Sequence, residues 1–155
     1  MPNGGILRPR ETSDRSIMLR KAVVDDIAAL KLVRSSVVEN ILGDPSKVTD
    51  AEYEWFVKNS GVAVWEEQGG IVGFSAADPR QGNIWALFVT PGFEGKGIGS
   101  RLLAEACFCL QSAGVERAWL TTDPRTRAER LYRAAGWEQV GDASADPIRV
   151  ALTSP

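Results

Sequence analysis

The chain has no histidine among its 155 residues. That removes the commonest general base and the commonest metal ligand together. Only two cysteines occur, Cys107 and Cys109. Two positions apart on a helix, they project about 200° from one another. That spacing argues against an intrachain disulfide or a shared metal and leaves buried thiols as the reading. No apolar run approaches the roughly 20 residues of a membrane span, and the N-terminus has no apolar signal core. A cytoplasmic protein with no membrane partner is the expectation. Neither charge is in excess, with 18 basic against 20 acidic residues. The balance gives no electrostatic reason to expect nucleic acid as a partner. The length suits a single domain with a real core.

What is present is concentrated in one loop. An apolar run from Ile84 to Val89 leads into Thr90-Pro91-Gly92-Phe93-Glu94-Gly95-Lys96-Gly97-Ile98-Gly99-Ser100, after which helical periodicity begins. A strand, a glycine-rich turn and a helix N-terminus can build an anion site from backbone alone. Glycines let main-chain N–H groups approach a ligand together, and the helix start adds its unpaired donors and positive dipole end. A phosphate is the expected ligand. A P-loop needs Gly, four residues, then Gly-Lys-Ser/Thr. Here Gly97 follows Lys96 and Thr90 stands where the first glycine belongs. A dinucleotide fingerprint needs G-x-G-x-x-G. Its third glycine falls on Ser100 or Leu102 in the two available registers. Both nucleotide readings fail on spacing.

Residues 1–15, mixing Pro, Gly, Arg and Asp with few apolar positions, read as a tail ahead of a single domain over 16–155. A first strand is expected at Ile17 to Lys21. A helix capped by Asp25 or Asp26 follows, with Ile27, Leu30, Val33, Val37 and Val38 on one side. Thr49-Asp50-Ala51-Glu52 is a capping-box pattern for a second helix. Val62 to Glu66 and Ile71 to Ala77 form a hairpin, and Ile84 to Val89 a fourth strand. Periodicity through Leu102, Leu103, Ala106, Cys107 and Leu110 gives a helix ending at Gly114. Ala118 to Thr122 is a fifth strand. A helix to Ala135 stops at Gly136, and Trp137 to Val140 pairs with Ile148 to Leu152 at the end.

Two motifs in this order resemble those of the GNAT superfamily of acyl-CoA-dependent N-acetyltransferases. The first is Leu87-Phe88-Val89-Thr90-Pro91 followed by Glu94-Gly95-Lys96-Gly97-Ile98-Gly99. It is similar to that family's pyrophosphate loop, except that Glu94 replaces the usual Gln or Arg. The second runs from Arg125 to Trp137, where Ala128, Leu131, Tyr132 and Gly136 keep the family spacing. Trp137 replaces Phe, and Arg125 replaces Asn. The resemblance covers about residues 17 to 152. It implies an α/β (α+β) fold with a mixed, mostly antiparallel sheet of about seven strands and about four helices. It also implies acetyl-CoA as cosubstrate, an amine acceptor, and the frequent dimerisation of the family.

Carried over residue by residue, the resemblance assigns the cofactor to Leu87, Phe88, Val89, Glu94, Gly95, Lys96, Gly97, Ile98, Gly99, Ser100, Arg101, Thr122 and Arg127. Arg101 and Arg127 are the favoured phosphate contacts because they flank helix starts. Tyr132 is either an aromatic on a buried helix face or the acid that protonates the departing thiolate. A backbone N–H near Phe88 would receive the oxyanion. The base is open. Many relatives carry Glu where this chain has Trp85, which either lines the acceptor pocket or packs in the core. Glu39, Glu66 and Asp78 are the acids to weigh, with Glu39 first and Asn40 beside it in the acceptor wall. Water alone can also take the proton. The rival to an enzyme is a non-catalytic acyl-CoA-binding module on the same fold.

Overall fold

The computed structural model describes residues 17–37, 48–142, 144–145 and 147–153. Strand β1 (Ile17–Lys21) is followed by a 3-10 turn (Val24–Asp26) and helix α1 (Ile27–Ser36). Asp26 acts one turn earlier than the sequence suggests. Its Oδ2 accepts the Val23 N–H at 2.8 Å and so closes the 3-10 turn, and α1 has no side-chain cap. Ile27, Leu30 and Val33 form the buried stripe of α1, while Val37 lies past its end in extended backbone. Val38 and the 1–15 tail lie outside the described residues.

Helix α2 (Asp50–Trp55) opens on the expected capping box. Thr49 Oγ1 accepts the Glu52 N–H at 3.2 Å, and Glu52 Oε1 accepts the Thr49 N–H at 3.1 Å. Each bond satisfies a donor that would otherwise be unpaired at a chain entry. A π-helical turn (Phe56–Ser60) then ends at Gly61. Strands β2 (Val62–Glu67) and β3 (Gly70–Asp78) form the hairpin. Its two central residues, Gln68 and Gly69, both have positive φ, at 57° and 81°. That is the turn whose twist matches paired strands. The rest of the chain is β4 (Asn83–Val89), α3 (Ile98–Ser112), β5 (Arg117–Thr122), α4 (Arg127–Ala134), β6 (Glu138–Val140) and β7 (Ile148–Thr153).

The strands form one seven-stranded sheet in the order β1-β2-β3-β4-β5-β7-β6. All neighbours are antiparallel except β4 and β5, which are parallel and joined at a single pair, Asn83 with Trp119. Helix α3 is the crossover that a parallel pair requires. Each face of the sheet carries its own core. Leu30, Val33, Tyr53, Phe56, Phe74, Ala86 and Phe88 pack together under α1 and α2. Ile84, Leu103, Ala106, Leu110, Leu120, Tyr132 and Trp137 pack under α3 and α4. Truncating a fully buried leucine such as Leu30 or Leu110 to alanine costs about 2–5 kcal/mol in sites of this kind.

Strand β4 serves both cores because it carries a bulge. Ala76 pairs with Ala86 but Ala77 pairs with Ile84, so Trp85 is the extra residue. Simple alternation would put Ile84, Ala86 and Phe88 on one face. The bulge breaks that phase. Ile84 joins the α3/α4 core, while Trp85, Ala86 and Phe88 belong to the α1/α2 side. Cys107 and Cys109 are free and half-buried on α3. Burial pushes the Cys107 thiol up to about 11, and Cys109 Sγ contacts the Ser60 carbonyl at 3.3 Å.

Candidate active site

Beyond the Asn83–Trp119 pair, β4 has no strand partner on its β5 side among the described residues. The gap opens into a cavity of about 560 Å³. Leu87, Phe88 and Val89 of β4 form one wall, and Arg127, Ala128, Leu131 and Tyr132 of α4 form the other. The glycine loop closes one end with Glu94, Gly95, Gly97, Gly99 and Ser100. Sequence-distant segments thus converge as expected, with ten of the anticipated residues on one surface: Leu87, Phe88, Val89, Glu94, Gly95, Gly97, Gly99, Ser100, Arg127 and Tyr132.

The loop glycines are there for two different reasons. Gly92, Gly95 and Gly97 have φ of 97°, 78° and 86°, which a side chain would strain even though open space surrounds them. Gly99 has ordinary helical backbone. A Cβ there would meet Leu131 Cδ2 at 3.1 Å, so this glycine lets α3 and α4 approach. Gly97 is the N-cap of α3, in left-handed backbone with no side-chain cap. By contrast Thr49 caps α2 and Thr126 caps α4 through their hydroxyls. The first-turn amides of α3 are therefore left for an outside acceptor at the positive end of the helix dipole.

The other anticipated residues sit elsewhere. Ile98 is buried at 2% exposure, against Trp65, Val72 and Leu102. The Arg101 guanidinium lies 5.8 Å from the Trp65 ring and Lys96 Nζ 5.2 Å from the Phe93 ring. Thr122 ends β5 opposite Ile148. Ile98, Arg101, Lys96 and Thr122 are not among the cavity-lining residues. Glu39 and Asn40 lie outside the described residues. Trp85 is half-buried in an aromatic group, stacked on Phe56 at 4.0 Å and edge-on to Tyr53 at 5.5 Å.

Two of the acids weighed as bases are already engaged. Glu66 Oε1 accepts Arg20 Nε at 2.8 Å. Asp78, 2% exposed, is gripped by both ends of the Arg80 guanidinium at 2.9 Å. Those bonds hold its carboxyl below the usual range against the opposing effect of burial. An ion-paired carboxylate with a depressed pKa is a poor proton acceptor at neutral pH.

Tyr132 is 5% exposed, with its ring 5.8 Å from that of Trp137. Burial, reinforced by Cys107, holds the phenol well above its ordinary range. It remains a proton donor at any neutral pH. Glu94 accepts the Gly92 N–H on Oε1 at 3.0 Å, folding its carboxylate back onto the loop. Arg125 adopts φ 65°, a left-handed conformation that Asn tolerates better than Arg. Its N–H is held by Glu129 Oε1 at 2.6 Å.

Three features were not legible in the sequence. Val37 also lines the cavity, beside Pro91 of the loop motif and Arg130. Trp85 is a bulge residue, which only the β3 register reveals. Arg34 of α1 faces the aromatic group, with its guanidinium carbon 4.9 Å from the Phe88 ring and 5.7 Å from the Trp85 ring.

The chain belongs to the acetyltransferase (GNAT) family, whose model matches residues 30–137. A mycothiol acetyltransferase from Propionibacterium freudenreichii subsp. shermanii is 34% identical over 108 residues, covering 62% of this chain. Those residues are 34% of the relative's length, so the chain spans about a third of it. The PaiA N-acetyltransferase from Thermoplasma acidophilum, solved with coenzyme A, superposes with a TM-score of 0.73 at 17% identity. That match covers 89% of this chain and 99% of the other. YncA from Salmonella typhimurium, solved with acetyl-CoA, gives a TM-score of 0.68 at 19% identity, covering 90% and 95% of the two chains. Among the described residues, seven mostly antiparallel strands and four helices agree with those folds.

Proposed function

We propose that this protein transfers the acetyl group of acetyl-CoA, its acyl-donor cosubstrate, to the amine of a small molecule or peptide by direct attack in a ternary complex. The observation that carries this reading is the uncapped N-terminus of α3 at one end of a cavity and the unpaired edge of β4 along its wall. Loop amides suit the CoA pyrophosphate, and a free strand edge suits the amide-bearing pantetheine arm, which can bond to it as a strand would. Arg127 and Arg130 in the lining add positive charge at the phosphate end. The sulfur then approaches Tyr132.

The amine nitrogen attacks the thioester carbon, the C–N bond forms, and the C–S bond breaks with its electrons leaving on sulfur. The oxyanion donor follows from strand geometry. The Thr90 N–H bonds to Val72 on β3, and Phe88 is paired with Phe74. Amides alternate along a strand, so the N–H of Phe88 points to β3 while those of Leu87 and Val89 point to the open edge. The donor is thus a neighbour of Phe88 and not Phe88 itself. Tyr132 donates to the leaving sulfur. Its phenol is held well above an ordinary thiol's pKa of about 8.5, so full proton transfer to the thiolate runs uphill. Its role is a hydrogen bond that stabilises charge developing on sulfur, and the proton that finally reaches sulfur is the one the attacking nitrogen sheds as the amide forms.

The test is calorimetry followed by a CoA-thiol release assay over an amine panel. Acetyl-CoA should bind and raise the melting temperature, whereas ATP and NAD should not. No binding of acetyl-CoA, or binding without turnover of any amine, overturns the reading.

A further inference from the structure

The acceptor side of β4 holds one charged group with no counter-charge. Arg34 is half-buried on α1, with Nη1 fully buried and without a hydrogen-bond partner among the described residues. Its guanidinium lies over Phe88 at 4.9 Å and Trp85 at 5.7 Å. The Tyr53 hydroxyl is also within its reach: burial raises that phenol, while the Arg34 charge and a hydrogen bond from Arg34 act against the rise. Ring faces and one phenol recover only part of what a guanidinium loses on leaving water. A half-buried cation in such surroundings is poised for an anion.

The neighbouring charges are spoken for. Lys31, one turn earlier on α1, binds Asp50 at 2.6 Å. Arg80, which lies over Trp55 at 3.5 Å on the far side of the aromatic group, is paired with Asp78. Arg34 is therefore the uncompensated charge of this group among the described residues. One planar fork with a single positive charge matches a carboxylate; a phosphate dianion would call for a second free cation. Its place relative to the reaction is also fixed. Phe88, beneath the guanidinium, forms part of the cavity wall, and Val37, three residues after Arg34, lines the same cavity.

We propose that Arg34 is the specificity-determining residue of the acceptor site and that the acceptor is an amine carrying a carboxylate, which Arg34 binds while the amine faces the thioester. This rests on the acetyl-transfer reading above and names the acceptor class for it.

The experiment compares matched acceptors, namely amino acids and dipeptides with a free carboxylate against the same molecules as carboxamides, by CoA release. The wild-type enzyme should favour the acids in kcat/KM by about 100-fold, the scale of losing one partner of a desolvated charge pair. Most of that ratio should lie in KM. In Arg34→Gln it should collapse towards unity, and Arg34→Lys, which keeps the charge but loses the fork, should retain an intermediate ratio. Equal kcat/KM for acids and amides in the wild type, or an undiminished ratio in Arg34→Gln, overturns the proposal. Should Arg34→Gln fail to fold, the wild-type and Arg34→Lys ratios still decide it. Binding of N-acetyl amino acids and their amides to the enzyme–CoA complex separates the two readings, because it needs no turnover. Acid-selective binding with no turnover of any amine supports the carboxylate site and sinks the transferase reading alone. Equal binding of acids and amides alongside turnover sinks the carboxylate site alone.

Discussion

The Glu94 carboxylate and the Gly92 amide form a closed pair at 3.0 Å inside the loop that lines the cavity. The acid thereby occupies one loop donor and sets a negative charge beside the phosphate end. Glu94→Gln keeps an acceptor oxygen for Gly92 and removes the charge. Exposed charge interactions are worth about 0.2–1 kcal/mol, so CoA affinity should rise by a factor of about 1.4 to 5. The gain should shrink as salt is raised. Calorimetry at two ionic strengths reads both, and an unchanged affinity at low salt would show that the carboxylate does not face the phosphates.

Gly97 and Gly99 should respond differently to alanine. At Gly97 the penalty is backbone strain, about 1–2 kcal/mol for a left-handed residue with a Cβ, with no new contact. At Gly99 the new methyl presses on Leu131, next to Tyr132 in α4. Gly97→Ala should lower the melting temperature. Gly99→Ala should instead raise KM for acetyl-CoA by displacing the α4 wall. Denaturation curves and steady-state kinetics on the two variants distinguish the mechanisms.

Tyr132→Phe should lower kcat by about 10- to 100-fold, at or below the low end of the roughly 100- to 10,000-fold typical of an acid–base group, because a hydrogen bond is lost and not an obligate proton. Acetyl-CoA affinity should hardly move. The phenol is held above its ordinary range, so the wild-type rate should show no alkaline limb from this group up to about pH 10. A limb near neutrality that vanished in Tyr132→Phe would contradict this assignment.

Arg125 carries left-handed backbone without being glycine or asparagine. Arg125→Asn should stabilise the fold by about 0.5–1 kcal/mol, part of the 1–2 kcal/mol such strain costs. Its amide can keep Glu129 as acceptor. A lower denaturation midpoint in the variant would mean that the arginine side chain contributes more than its backbone costs.

Asp78 links stability to pH. Its carboxyl is lowered in the folded protein, first by the hydrogen bonds from Arg80. A depressed carboxylate contributes stability that is present above its unfolded pKa of about 3.9 and is lost as pH falls through the folded value. Wild type should therefore lose stability below about pH 4. Asp78→Asn should be less stable at pH 7 and flatter through the acid range. Urea midpoints across that range provide the check.

The glycine loop and the Tyr132 helix were legible because their signals are local. Gly92, Gly95 and Gly97 answer to their own φ angles, and Tyr132 to its helical spacing with Ala128 and Leu131. The first helix was harder at both ends. Asp26 reads as a cap, but its carboxylate is drawn back to Val23 and to Arg20, 2.9 Å away. Arg34 was invisible for a different reason. A basic residue within an amphipathic helix looks like its solvated face, and only the arrival of Trp85 and Phe88 from a distant strand makes it a half-buried charge. Ile98 divides between the two levels: its side chain turns into the core, and what it offers a ligand is the amide at the first turn of α3.

The extra residue at Trp85 makes β4 two half-strands in opposite phase, joined without a gap. The turn between Asp78 and Asn83 can change length at little cost, because turns absorb insertions. Within the strand, Trp85 is the residue whose loss leaves the phase intact: Ile84 and Ala86 would become neighbours, keep Ala77 and Ala76 as partners, and stay on the faces they already occupy. What its deletion would remove is the aromatic stack with Phe56 and Tyr53, and not the order of the ladder.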